Sequence, residues 1–153
     1  MQLNYLIEKA FLLNVTEPEI QNFKKFFELQ SEHQDLKLGA AIFRYMDDLD
    51  TKSSALLTHV SMLIAAVSIM LSVYDDEISR SFLLIEAAAY VYIATGLLRC
   101  VSIINPHNTD LESYREDTLR EVVIRVSVYR KARTFTIFVT VAFFLSILLK
   151  PVF

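Results

Sequence analysis

Three long apolar segments constrain the fold more than any other feature of this sequence. They extend from Ser53 to Tyr74, from Ser81 to Ile104 and from Thr134 to Leu149. A helix needs roughly 17 to 25 residues to cross the hydrocarbon core of a bilayer. The first two segments meet this length, and the shorter third is flanked by Arg133 and Lys150, whose charged groups can extend to the headgroups. The pattern predicts three transmembrane helices, with a buried helix of a soluble bundle as the alternative for each.

Turn-forming residues are too scarce for a β architecture. The chain of 153 residues has 54% hydrophobic residues, two glycines and three prolines, which favours long uninterrupted helices. The single cysteine, Cys100, permits no internal disulfide. We therefore predict an all-α integral membrane protein with three transmembrane helices and long cytosolic helical extensions.

The distribution of lysine and arginine predicts the orientation. Six of these residues precede the first span and seven lie from Arg99 to Arg133, whereas only Arg80 and Lys150 lie on the other side. Basic loops stay in the cytosol. We expect a protein of the bacterial inner membrane with a cytosolic N-terminus and a periplasmic C-terminus. The predicted regions are a cytosolic helical region (1–52), a transmembrane hairpin (53–104), a cytosolic basic helical linker (105–133) and a third transmembrane helix (134–153).

The cytosolic regions have the pattern of helices that continue into the membrane. Thr16 and Glu19 form a capping box, from which one helix, or two with a bend near Gly39, extends to Tyr74. A second helix starts at Asn108 or Thr109, although Val122 to Tyr129 also alternates as a strand would. The region also contains a coiled-coil-like seam that comprises Phe26, Leu29, His33, Leu36, Ala40 and Phe43. We expect this seam to pack on the helix before the third span, on another protomer or on a partner.

The first span carries small and hydroxyl side chains on one face, and His59 lies beside them. Such a face suits close helix packing, or it lines a pore when several copies assemble. We call it the hydroxyl face, and it comprises Ser54, Thr58, Ser61, Ala65, Ser68 and Ser72. The ionisable groups of the spans are His59, Glu86 and Arg99. We expect His59 to hydrogen-bond a neighbouring helix or face the pore, Glu86 to reach the outer interface and Arg99 to reach cytosolic headgroups.

Features of catalysis are absent from the sequence. It has no phosphate-binding loop, no metalloprotease motif and no nucleophile elbow, and its three histidines are scattered. We expect no enzymatic activity, no cofactor, no metal site and no nucleic-acid partner. Arg130, Lys131 and Arg133 suit anionic headgroups, whereas most other charges of the linker are expected to form a solvated or salt-bridged face.

The stretch from Met46 to Leu57, with its D-x-K-x-x-x-L pattern, resembles the start of the first span in small bacterial transmembrane effectors. These are the Pycsar-type effectors of anti-phage operons and, more loosely, the SLATT effectors. The layout from Asp47 to Leu149 is similar to theirs. By this resemblance, Asp50 and Lys52 take the motif positions at the cytosolic mouth, and the protein compromises the inner membrane when infection triggers it. The chain has no room for a recognisable nucleotide-sensing domain, which favours control by a partner protein.

The sequence thus predicts an oligomeric defence effector that permeabilises or depolarises the inner membrane, as in abortive infection, when triggered through its cytosolic helices. Its expected partners are the lipid bilayer, further copies of itself and a cytosolic sensor or inhibitor protein. Two alternatives remain: a non-conducting membrane anchor that tethers a cytosolic partner, and a small channel or transporter accessory subunit.

Overall fold

The fold is all-helical in the part of the chain that the structure describes. The structure, a computed structural model, describes residues 9, 11, 16–33, 38–101 and 111–149. The helices are α1 (Glu17–His33), α2 (Leu38–Val73), α3 (Glu77–Val101) and α4 (Leu111–Leu149). Helices α2, α3 and α4 are long and apolar enough to cross a membrane, which confirms the predicted helical class and its three candidate spans.

Helix α1 begins with one half of the predicted capping box, the bond from the Thr16 N–H to the Glu19 side chain. The backbone N–H and the hydroxyl of Thr16 both donate to Glu19 Oε2, at 3.0 and 3.3 Å. The backbone N–H of Glu19 donates in turn to the Thr16 carbonyl at 3.0 Å. Glu17 and Glu19 place negative charge in the first turn, where the helix dipole favours it.

The seam residues Phe26 and Phe43 lie on different helices, as the two-helix alternative predicts. Helix α1 ends at His33 and α2 begins at Leu38, and α1 packs against both α2 and α4. This arrangement buries Phe27 completely, whereas Phe26 is 48% exposed. Leu29 and Phe43 are also exposed; the side chain of His33, and Leu36 as a whole, lie outside the described residues.

Helix α4 connects two separate hydrophobic cores. The lower core joins α1, α2 and α4 through Phe27, Ile42, Met46, Leu49, Leu119, Val122 and Val126. The upper core joins α2, α3 and α4, and its central members are Val60, Val67, Tyr90, Ile93, Leu97, Val128 and Phe143. Because α4 packs on several sides, every residue from Val122 to Val126 is buried. The alternating apolar residues of this segment therefore lie in a helix that other helices cover on several sides, and not in a strand.

Above the lower core, the outer surface of the helices is apolar. Exposed large side chains include Met62 and Ile69 of α2, Ile85 of α3, and Phe138 and Leu148 of α4. In each of the three candidate spans, most of the apolar stretch lies outside the core. Soluble monomers rarely expose such continuous apolar surface, because its contact with water is unfavourable. These helices therefore require a further apolar environment.

Candidate functional site

The hydroxyl face points away from the other helices of the same chain. Helix α2 packs inward through residues such as Ser53, Val60 and Val67, which are fully buried. All six members of the hydroxyl face, and His59 beside them, are exposed. The face is therefore not used in packing within one protomer.

Four of the five hydroxyl groups of this face donate hydrogen bonds to their own helix. Thr58 donates to the Ser54 carbonyl at 3.0 Å and Ser61 to that of Leu57 at 2.8 Å. Ser68 and Ser72 donate in the same way, to Ile64 at 2.8 Å and to Ile69 at 2.6 Å. The hydroxyl protons of these four residues are thus satisfied, while each oxygen keeps a free acceptor position. Such a face tolerates lipid, a second helix or water.

Of the two alternatives expected for His59, a hydrogen bond to a neighbouring helix is not formed within the described part of this chain. Its side chain is exposed and has no hydrogen-bond partner among the described residues. It lies one position from Thr58 and thus about 100° further around the helix.

A buried ion-pair network lies where α2, α3 and α4 meet. The guanidinium of Arg99 donates to both oxygens of Glu121, at 2.5 and 2.8 Å. Arg125 donates through Nε to Glu121 at 3.0 Å and through Nη1 to Asp50 at 3.2 Å. The side chains of Arg99 and Arg125 are only 5% and 2% exposed. Among the described residues, two cations are paired here with two anions, and pairing is the condition under which charges are tolerated inside a protein.

The protonation of Glu121 depends on this network. Burial alone would raise the pKa of its carboxyl group, but the hydrogen bonds and charges of Arg99 and then Arg125 outweigh burial and hold the pKa below its ordinary value. Glu121 is therefore ionised at neutral pH. The thiol of Cys100 lies at the same level, 3.5 Å from the carbonyl oxygen of Arg125.

Two expectations about charged residues of the spans are wrong. Arg99 does not extend to headgroups, because Glu121 on α4 provides a bidentate partner inside the protein. Glu86 does not reach the outer interface: its residue is 4% exposed, and neither carboxylate oxygen has a hydrogen-bond partner among the described residues. One turn along α3, the hydroxyl of Tyr90 donates to Thr140 Oγ1 of α4 at 3.4 Å.

The two positions of the effector-like motif have different surroundings. Asp50 joins the buried network through Arg125, with its own side chain 37% exposed. Lys52 pairs with Asp48 at 2.5 Å, and both side chains are more than half exposed. Only Asp50 therefore connects the motif to the interior of the protein.

Sequence reasoning missed the network because its partners are far apart in the chain. Arg99 and Glu121 are separated by 22 positions, and Asp50 and Arg125 by 75. One signal was available: Arg125 lies within the apolar run from Val122 to Val128, and an arginine in such surroundings needs an acidic partner.

The architecture places the chain in a broad class, that of helical proteins with three candidate membrane spans. A charged junction lies at the end of two of these spans. Within the described ranges, no group of three or more His, Cys, Asp or Glu residues could hold a metal ion. Comparison with family models, with curated proteins and with solved structures gives no match for this chain.

Proposed function

We propose that the chain is a multi-pass protein of the bacterial inner membrane. The exposed apolar sides of α2, α3 and α4 would face lipid, since lipid is the environment in which such surface is stable. The excess of lysine and arginine before the first span and in residues 105–133 supports a cytosolic N-terminus and a periplasmic C-terminus.

In this membrane the protein acts as an oligomeric effector that permeabilises the bilayer. The observation that carries this proposal is the outward position of the hydroxyl face, with His59 beside it. Three helices are too few to enclose a channel, so conduction requires several copies whose α2 helices present polar faces to a common axis. The face is free for such contacts because the protomer packs through the opposite side of α2.

The cytosolic helices provide the trigger. The lower core and the ion-pair network connect α1 and the cytosolic half of α4 to the base of α2 and α3. A partner that moves α1 or α4 thus acts directly on the spans. The resemblance of the segment around Asp50 and Lys52 to anti-phage effectors supports infection as the signal, and abortive infection as the outcome.

A non-conducting anchor is the second candidate. The exposed Phe26, Leu29 and Phe43 form apolar surface on the cytosolic part, which suits a protein partner. An anchor needs this surface but does not need the hydroxyl face, so the two functions are separable by mutation.

The double variant Ser61→Leu with Ser68→Leu tests the effector function. Leucine keeps α2 insertable but removes two hydroxyls and fills the face. We expect normal membrane levels and loss of the ion leakage that induced expression of the parent produces. The matched control is Thr95→Leu, because Thr95 of α3 is also exposed and also donates to its own helix, at 2.9 Å.

The control variant should leak as the parent does. If the double variant leaks as strongly as the parent at equal expression, the conducting path lies elsewhere. If the parent itself never depolarises cells, the effector function fails and the anchor function stands.

A further inference from the structure

A small pocket lies between α2 and α4, beside the lower core. Leu49 and Val126, two buried members of that core, line the pocket together with Tyr45 and Tyr129, which pack against the same core. The volume of the pocket is about 170 Å³. Pockets that enclose a whole small molecule typically have about 300 to 1,000 Å³, so this pocket suits a single ionic group.

The other lining residues are charged, and their charges do not cancel. Asp48 and Lys52 of α2 form an ion pair at 2.5 Å. Arg130 and Arg133 of α4 also line the pocket. Both arginines are exposed, and neither forms an ion pair with a residue that the structure describes. Three cations against one anion leave the lining with a net charge of +2.

The two arginines lie on the same face of α4, because they are three positions apart. Like charges at this spacing repel each other, and an anion between them removes that cost. Tyr45 and Tyr129 add hydroxyl groups that can donate further hydrogen bonds. The pocket therefore suits a group with nearly two negative charges and several acceptor oxygens.

A phosphate monoester has these properties. At neutral pH it carries about −1.5 to −2 charges and three strong acceptor oxygens, and guanidinium groups bind such oxygens in pairs. A carboxylate and a phosphate diester each carry only a single negative charge. The net charge of the lining thus favours the monoester over both.

We propose that the pocket between α2 and α4 binds a phosphate monoester, with Arg130 and Arg133 as its main ligands. In the proposed orientation the pocket lies at the cytosolic mouth of the first and third spans, where two sources meet. One source is the headgroup of phosphatidic acid in the bilayer, and the other is a soluble phosphate of the cytosol. The site is separate from the hydroxyl face and does not depend on pore formation.

Native mass spectrometry of the full chain in a non-ionic detergent tests the lipid source. The probes are phosphatidic acid, whose phosphate is a monoester, and phosphatidylglycerol with the same acyl chains, whose phosphate is a diester. We expect the parent to bind phosphatidic acid more tightly. Inorganic phosphate tests the soluble source through the melting temperature of the same protein, compared with sodium chloride at equal ionic strength.

Three variants identify the residues that bind the probe. Arg130→Gln and Arg133→Gln each remove a charged donor, and each should weaken the binding of the monoester about 10-fold to 100-fold. Arg133→Lys should recover part of the affinity, because it restores the charge without the planar guanidinium. The matched control is Arg44→Gln, which removes the same charge from an exposed position of α2 outside the pocket and should leave the affinity unchanged.

The two arms distinguish the sources of the phosphate. Binding of phosphatidic acid without an effect of inorganic phosphate supports the pocket as a lipid site. A phosphate-dependent rise of the melting temperature that is lost in the double variant Arg130→Gln with Arg133→Gln supports it as a site for a soluble monoester.

Four results would overturn the site. Equal binding of the two lipids excludes selection of a monoester, and an equal loss in Arg44→Gln reduces the effect to general surface charge. Unchanged binding by the double variant means that the probe lies elsewhere. Failure of the parent to bind either phosphatidic acid or inorganic phosphate refutes the pocket outright, and it leaves the test of ion leakage unaffected.

Discussion

Replacement of Glu121 by glutamine should destabilise the protein far more than its single lost charge suggests. The carboxylate receives two hydrogen bonds from Arg99 and one from Arg125. An amide of the same shape keeps one acceptor oxygen and no charge, so Arg99, only 5% exposed, loses its bidentate anion. Removal of one partner from a buried ion pair typically costs about 3 to 5 kcal/mol. We expect the lower part of this range, because Arg125 keeps Asp50.

The matched control is Asp48→Asn. The pair between Asp48 and Lys52 has the same N···O distance of 2.5 Å as that between Arg99 and Glu121. Its side chains are 55% and 56% exposed, so water and salt replace the lost partner. No measurable change is expected, and the two variants therefore separate the effect of burial from the effect of geometry.

Reversible unfolding in mixed detergent micelles, followed by far-ultraviolet circular dichroism, measures both variants. A large loss of unfolding free energy for Glu121→Gln beside an unchanged Asp48→Asn supports the buried network. Equal small losses would show that Arg99 and Glu121 are solvated and that the three helices are not joined there. The conservative variant Glu121→Asp should recover part of the loss, since it restores the charge at a shorter reach.

Three further predictions follow from the same structure. Because the pKa of Glu121 is lowered, its contribution to the free energy of unfolding is complete above the ordinary glutamate pKa and is lost as the pH falls through the lowered value. The free energy of unfolding, measured as a function of pH, should show this loss in the parent and not in Glu121→Gln. Gly96→Ala should destabilise the fold, since a Cβ there would overlap the ring of Phe11, whereas Gly39→Ala, with open space around it, should stabilise it by about 0.5 to 1 kcal/mol in thermal melts. Reporter fusions at Asp76 and after the last residue should both read periplasmic, and a cytosolic C-terminus would show that α4 does not cross.

Local patterns predicted the helices well because their causes are local. The capping box at Thr16 marked the start of α1 within one residue, and apolar composition identified the three candidate spans. The alternative of two helices with a bend near Gly39 agrees with the structure, in which α1 ends at His33 and α2 begins at Leu38. The predicted helix start at Asn108 or Thr109 lies outside the described residues.

Contacts between distant segments were not predictable from these patterns. Periodicity indicates which face of a helix is apolar, but it does not indicate which helix covers that face. Phe26 and Phe27 are adjacent and chemically identical, and only the return of α1 onto α2 and α4 decides that Phe27 is buried. In the same way, the sequence alone does not show that α4 places Glu121 beside Arg99. Without that partner, an extension of Arg99 to the headgroups is the natural prediction.

The continuity of α4 gives the molecule a mechanical property. A single helix from Leu111 to Leu149 passes the charged junction at Glu121 and Arg125 and continues to the far end of the third span. About 40 Å of helix separates Glu121 from Leu148, so a tilt of about 10° at the junction would displace the far end by roughly 7 Å. A small rotation imposed on the Leu111 end of α4 would therefore be amplified at its Leu149 end.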